Sequence, residues 1–243
     1  MKKVYVWIGI PATHCGGRTN REVNYLEEIL LEIWADFACF SQAAAKVERL
    51  TYPVPTPSAV RGILSAIYNK PVEFYWQVNR IEVLNPIQYI SIKRNEVKCT
   101  VSDKPIYTED ERTQRQMVAL KDVRYRIAAS IVPRPTYVGR EKQLYEQALR
   151  RIRTGKCYYQ PSMGMRELVC YFEESDGTKK PIPESRDLGV MLYDVFDLHD
   201  CEVRKKTKPM LSLFRARMEN GVVFVPPFDS PEVLKGAGNA ESA

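Results

Sequence analysis

From Leu30 to Phe40 the chain reads LLEIWADFACF, an almost unbroken apolar run that suits a central strand. A helical pattern follows over Ser58 to Tyr68, with Thr56 placed to cap it and Pro57 at its first position. Phe74 to Leu84 reads as a strand, with Ile81 and Val83 alternating against Arg80 and Glu82, and Ile87 to Ile92 reads as a second, shorter one. Arg94 to Gln116 is polar and predicts a long loop or hairpin. Then Val123, Tyr125, Ile127, Ala129 and Ile131 alternate with Arg124, Arg126 and Ser130, a half-buried strand with a basic outer face. Glu141 to Arg153 predicts a helix on the stripe Leu144, Ala148 and Ile152, closed by Gly155.

The last third is rich in strand patterns: Arg166 to Glu174, Leu188 to Phe196 and Met210 to Met218, with tight turns at Asp176-Gly177 and Asn220-Gly221. The ends are less regular. Val4 to Ile10 is a short strand-like piece in an extension over residues 1–25, and residues 231–243 form a tail expected to be disordered. Between them the order strand, helix, strand, strand, strand, helix fits an α+β chain. The expectation is a ferredoxin-like (RRM-type) domain over residues 26–155, followed by an antiparallel β-sheet region over residues 156–230.

The chain has 243 residues, 44% hydrophobic, with 36 Lys and Arg against 30 Asp and Glu. The resulting charge of +6 does not by itself establish a polyanion partner. Its distribution says more: Val203 to Met218 holds six basic residues and no acidic one, and Arg140 to Lys156 holds six against two. The six cysteines are scattered with no C-x-x-C pair, so reduced thiols are expected rather than a disulfide framework. The two histidines, His14 and His199, lie near cysteines without metal-ligand spacing. No metal and no cofactor is expected. No stretch is long enough to span a membrane as a helix, and a cytoplasmic protein is the expectation.

On a helical wheel Val60, Ile63, Leu64 and Ile67 point one way, while Arg61, Ser65 and Tyr68 share another face, with Lys70 just beyond. That second face reads in two ways. Tyr68 can pack its ring at the helix end while Arg61 extends its charge to water. Alternatively, cation, hydroxyl and phenol serve a phosphodiester, which needs positive charge and a proton-transfer group.

Five stretches carry a resemblance: WADFACFSQ (34–42), KVERLTYPVPTPSAVRGILSAIYNKP (46–71), NRIEVLNPIQYISIKRNEV (79–97), RQMVALKDVRYRI (115–127) and GKCYYQPSMGMREL (155–168). In this order they resemble CRISPR-associated protein family five, subtype I-C (variant d), over about residues 30–225. The resemblance implies a ferredoxin-like domain and a smaller β region. It implies an endoribonuclease that recognises the hairpin of CRISPR repeat RNA and cuts on its 3′ side without a metal. The protein then stays on the crRNA 5′ handle within the antiviral interference (Cascade) complex, beside backbone and large subunits, and meets target DNA only through them.

The family pairs a tyrosine at the end of the first helix with a Lys-His step ahead of the second. Tyr68 matches the tyrosine within AIYNKP. Aligned without a gap, Gln143 and Leu144 stand at the Lys-His step, Lys142 lies one residue earlier, and no histidine occurs between His14 and His199. The implied catalytic set is therefore Tyr68 with Lys142, and Tyr145 or Tyr159 as proton donor. The implied RNA-binding residues are Arg49, Tyr52, Arg61, Lys70, Lys93, Arg94, Lys98, Arg112, Arg115, Arg124, Arg126, Arg150 and Arg153, with Tyr125 a further stacking candidate. The missing imidazole leaves a second reading open, a handle-binding scaffold subunit that does not cut. A generic RRM-like RNA-binding module is the third.

Overall fold

The computed structural model describes residues 28–42, 45, 48–99, 105–200 and 210–236. Within them the order is β1 (Ile29–Ala38), β2 (Arg49–Leu50), α1 (Pro57–Ile67), β3 (Phe74–Val83), β4 (Gln88–Val97), α2 (Thr108–Glu111), β5 (Arg112–Pro133), α3 (Glu141–Arg153), β6 (Tyr171–Glu174), β7 (Arg186–Asp194), β8 (Ser212–Glu219), β9 (Val222–Phe224) and β10 (Val233–Lys235). The fold is α+β and mostly antiparallel. All ten strands join one sheet along the path β10-β8-β9-β3-β5-β1-β6, with β7 on β8 and with β4 and β2 on β5.

β5 organises the sheet. Its first half pairs with β4 from Arg112 to Lys121, and its second half runs between β1 and β3. Asp122, at φ 53°, marks the change of partner, because a left-handed residue breaks the pleat there. Leu31, Ile33, Tyr125, Ile127 and Ala129 face the helices and share one buried cluster with Val60, Ile63, Leu64, Ile67, Leu144, Ala148 and Ile152. Burying each such aliphatic contributes about 1.5–3 kcal/mol. The wheels predicted both helical stripes.

Helix boundaries follow local chemistry. Thr56 Oγ1 accepts the Ala59 N–H at 3.2 Å, and Pro57 opens α1. Gly155 turns left-handed at φ 64°, and the Lys156 N–H returns to the Arg151 carbonyl at 2.9 Å.

Several expectations need correction. The short strand expected over Ile87 to Ile92 runs instead over Gln88–Val97, whereas the polar stretch from Arg94 to Gln116 is the expected hairpin, holding among the described residues the end of β4, α2 and the start of β5. Only Tyr171–Glu174 of the strand expected from Arg166 is a strand. Residues before it form a loop held to β1, where Cys39 donates its N–H to the Met163 carbonyl at 3.0 Å. Gly164 has φ 87°, and a Cβ there would stand 2.0 Å from the Cys39 carbonyl oxygen. β7 stops at Asp194, whose Oδ1 accepts the N–H groups of Val195 and Phe196. Part of the expected tail, Val233–Lys235, pairs with β8. The Val4–Ile10 piece lies outside the described residues.

Candidate nucleic-acid interface

The sheet face opposite the helices carries the alternating Arg and Glu side chains that read as a basic outer surface. Arg126 is buried, donating to Glu82 at 2.7 Å, to Ser175 at 2.8 Å and to the Lys179 carbonyl at 2.6 Å. Arg124 pairs with Glu32 and with Glu173, and its guanidinium lies 4.6 Å from the Trp34 ring centroid. Burial works to raise the Glu32 pKa, but hydrogen bonds from Lys179 and Arg124 outweigh it and hold the carboxyl below its ordinary value. The chain itself covers this face: the segment after β6 runs past Arg126, and Ile182 bonds the Val83 carbonyl. Arg124 and Arg126 are therefore bound within the fold rather than presented to a ligand. Tyr125 lies on the helix side, buried, with its phenol pKa pushed up by desolvation, so it has no free face for a base.

At the end of α1 the wheel misleads. The helix stops at Ile67, and Tyr68 is extended at φ −146° and ψ 117°. Its ring turns away from the face of Arg61 and Ser65 into the interior, where it is 1% exposed and stacks on Phe74 with centroids 5.3 Å apart. The phenol donates to Gln147 Oε1 at 2.6 Å. Burial raises its pKa, and nearby Lys70 offsets this only in part, so the phenol is neutral at neutral pH. Lys70 itself is held by Glu73 at 2.9 Å.

Sequence reasoning missed three neighbours of this phenol. Gln147 accepts its hydrogen bond. Arg151 donates from Nε to the Ile67 carbonyl at 2.8 Å and lies 4.3 Å from the centroid of Tyr158. Tyr158 donates its backbone N–H to Ala66 at 2.7 Å, and its ring is 55% exposed. The signal was present: Gln143, Gln147 and Arg151 recur every four residues along one flank of α3. Lys142 and Tyr145 lie about 140–160° around the helix from Gln147. They do not meet Tyr68. Lys142 is exposed beside Glu146 at 4.0 Å, and Tyr145 is half-buried against the core on the side of Arg153.

The remaining cations fall into two sets. Arg61 is clamped by Asp194 at 2.6 and 2.7 Å, and Arg153 by Glu174 at 2.6 and 2.9 Å. Arg49 and Arg115 pair with Glu96, and Arg94 pairs with Glu167. Tyr52 is half-buried against the core. Lys93, Lys98, Arg112 and Arg150 are exposed. The first three lie along the β4–β5 hairpin, a cationic arm.

Beside the exposed face of α1 lies a cleft of about 480 Å³, with Arg61, Ser65, Asn69, Tyr75, Arg134, Tyr159 and Phe196 on its walls. Tyr158 and Tyr159 are consecutive, so one short segment borders both the Tyr68 cluster and this cleft. Among the described residues no group of acidic, His and Cys side chains is arranged to hold a metal ion, and no helix is long and apolar enough to cross a membrane.

Exposed cations on an arm, with arginine and tyrosines around a helix end, make an α+β protein chemically suited to a phosphate chain. The description of CRISPR-associated protein Cas5, in its Cas5d form, matches residues 28–226, and the chain belongs to that family. A CRISPR pre-crRNA endoribonuclease Cas5d of Thermus thermophilus is 41% identical over 175 residues, 72% of this chain and 76% of that protein. The protein of the same name from Mannheimia succiniciproducens is 40% identical over 232 residues, 85% of this chain and 98% of that protein. A solved CRISPR-associated protein shares the fold at TM-score 0.62 and 21% identity, covering 85% of this chain and 96% of its own. The functionally uncharacterized protein SMU1763c of Streptococcus mutans shares it at TM-score 0.61 and 22% identity, over 85% and 96%.

Proposed function

We propose that this chain is a CRISPR pre-crRNA endoribonuclease that cuts repeat RNA and stays on the 5′ handle as a subunit of the interference complex. The observation that carries the reading is 40% identity over 232 residues to a protein of that name, matched over 98% of its length. In this reading the partners are the repeat hairpin, the backbone and large subunits, and, through them, target DNA; the setting is the cytoplasm. The RNA-binding part is a ferredoxin-like, RRM-type domain over residues 26–155. The strand order β6-β1-β5-β3, with α1 and α3 packed on one side, supports the ferredoxin-like type, with β6 (Tyr171–Glu174) supplying its fourth strand from beyond residue 155.

The reaction sends a ribose 2′-oxygen to the adjacent phosphorus and expels the 5′-oxygen, leaving a 2′,3′-cyclic phosphate. No metal is required if the protein covers the charge at phosphorus and relays the proton. Arg151 and Lys70 sit where they can neutralise that charge. Exposed Tyr158, beneath Arg151, is the phenol best placed to reach the leaving oxygen. Tyr68 stays protonated and acts as a positioning residue, holding Gln147 against the end of α1. Lys142, Tyr145, Arg150 and the β4–β5 arm serve the RNA track. Geometry and electrostatics supply most of the rate; a proton-transfer group adds about 10²–10⁴-fold.

The burial of Tyr68 favours a second reading, a handle-binding subunit that does not cut. Incubation of the purified chain with its repeat RNA in excess EDTA separates the two. A single cut with a cyclic end is expected; tight binding with no product at long times leaves the scaffold. Tyr68→Phe is expected to slow cutting with little change in binding, and full activity in that variant would reduce Tyr68 to packing.

A further inference from the structure

We infer that the cleft beside α1 is a subsite for one unpaired base of the repeat RNA, separate from the place where the phosphate is cut. The inference rests on the proposed RNA-binding function and adds a pocket to it. The location comes first. The Tyr158 N–H straps its segment across α1 by bonding Ala66, so Tyr158 faces Arg151 while the next residue, Tyr159, lines the cleft. A strand leaving the cut site over Tyr158 reaches the cleft at the following side chain.

The chemistry selects a neutral ring over a phosphate. Of the two arginines on the cleft walls, Arg61 is already neutralised by Asp194 through two hydrogen bonds. Asp197 also lines the cleft, and its negative charge disfavours an anion there. What the walls offer instead are flat surfaces and neutral polar groups. Tyr159 is 62% exposed and Phe196 is 38% exposed, an apolar cost that a stacked base would remove. Arg134 lies 5.3 Å from the Tyr75 centroid, held by the carbonyls of Pro71 and Asp200, and presents a second flat face. Ser65 and Asn69 point polar side chains at the cleft and make no side-chain hydrogen bond to a described residue, so a base edge has donors and acceptors to meet. A volume of about 480 Å³ suits one nucleoside and excludes a duplex. Splayed bases on aromatic and guanidinium faces are how single-stranded RNA is read elsewhere.

The test is a double-mutant cycle on the full chain with its repeat RNA. Each unpaired nucleotide flanking the hairpin is replaced in turn by an abasic one, and affinity is measured for wild type and Tyr159→Ala. One position is expected to lose roughly 5- to 150-fold affinity in wild type and to lose nothing further in Tyr159→Ala. Ser65→Gln, which fills the cleft and keeps its aromatics, is expected to mask the same position. Strictly additive losses at every position, in both variants, would overturn the pocket while leaving hairpin binding and cutting intact. No binding of repeat RNA at low salt would bring down the underlying function as well. Tyr159 is exposed, and a matching thermal midpoint for Tyr159→Ala confirms that the comparison is between folded proteins.

Discussion

The face of the central strands opposite the helices and the β4–β5 arm carry the same kind of sequence, yet they do different things. On the central face the arginines meet carboxylates: Arg80 with Glu28 and Glu82, Arg124 with Glu32 and Glu173, Arg126 with Glu82. On the arm, Lys93, Lys98 and Arg112 stand in solvent. Cross-strand register makes the difference. Glu32 and Glu82 sit directly opposite Arg126 on its two neighbours, so the central sheet neutralises itself. On the outer face of the arm, Lys93 faces Gln116 and Arg112 faces Val97, and no carboxylate is in register. A cation count therefore overstates the surface available to a polyanion, and the pairing of strands says which part is free.

The sharpest break of this contrast is Arg126→Ala. It removes one of the two arginines on buried Glu82, leaving only Arg80, and is expected to cost about 3 kcal/mol in urea unfolding, the low end for breaking a buried pair. RNA affinity per folded molecule is expected to hold. A stable Arg126→Ala protein with weakened RNA binding would reverse the assignment. Next in size is Arg151→Ala. Loss of a preorganised charge donor is expected to reduce single-turnover cutting by roughly 10²–10³-fold, whereas Lys142→Ala changes the rate little. Equal losses in the two variants would move the cut site to the other flank of α3.

Neutralising the arm gives a smaller effect. Each of Lys93→Ala, Lys98→Ala and Arg112→Ala is expected to shift stability by less than about 0.5 kcal/mol. Each is also expected to flatten the slope of log affinity against log salt by about 0.7–0.9 for every phosphate that the side chain had neutralised. Unchanged slopes would take the RNA off the arm. The smallest effect is in pH. Glu32 titrates below its ordinary value of 4.5 in the folded chain, so its contribution is full above that pH and fades as pH falls through the folded value. Thermal midpoints measured downward from neutral pH are expected to fall less steeply in Glu32→Gln than in wild type.

Local signals in the sequence settled a good deal. Thr56, Pro57 and Gly155 bounded the helices, because caps act within a few residues, and the spacing of Val60, Ile63, Leu64 and Ile67 named the buried side of α1. Family membership was legible from five collinear stretches. Tertiary structure decided the rest. A wheel continued one residue too far put Tyr68 beside Arg61, whereas the extended backbone at the cap turned its ring under α3, where its phenol donates a hydrogen bond to Gln147. Whether Arg126 was a ligand or a strut depended on Glu82, 44 residues away, and on a carbonyl 53 residues away. Periodicity reports which side of an element avoids water; which distant groups meet there is set only when the strands take their register and the chain folds back over the sheet.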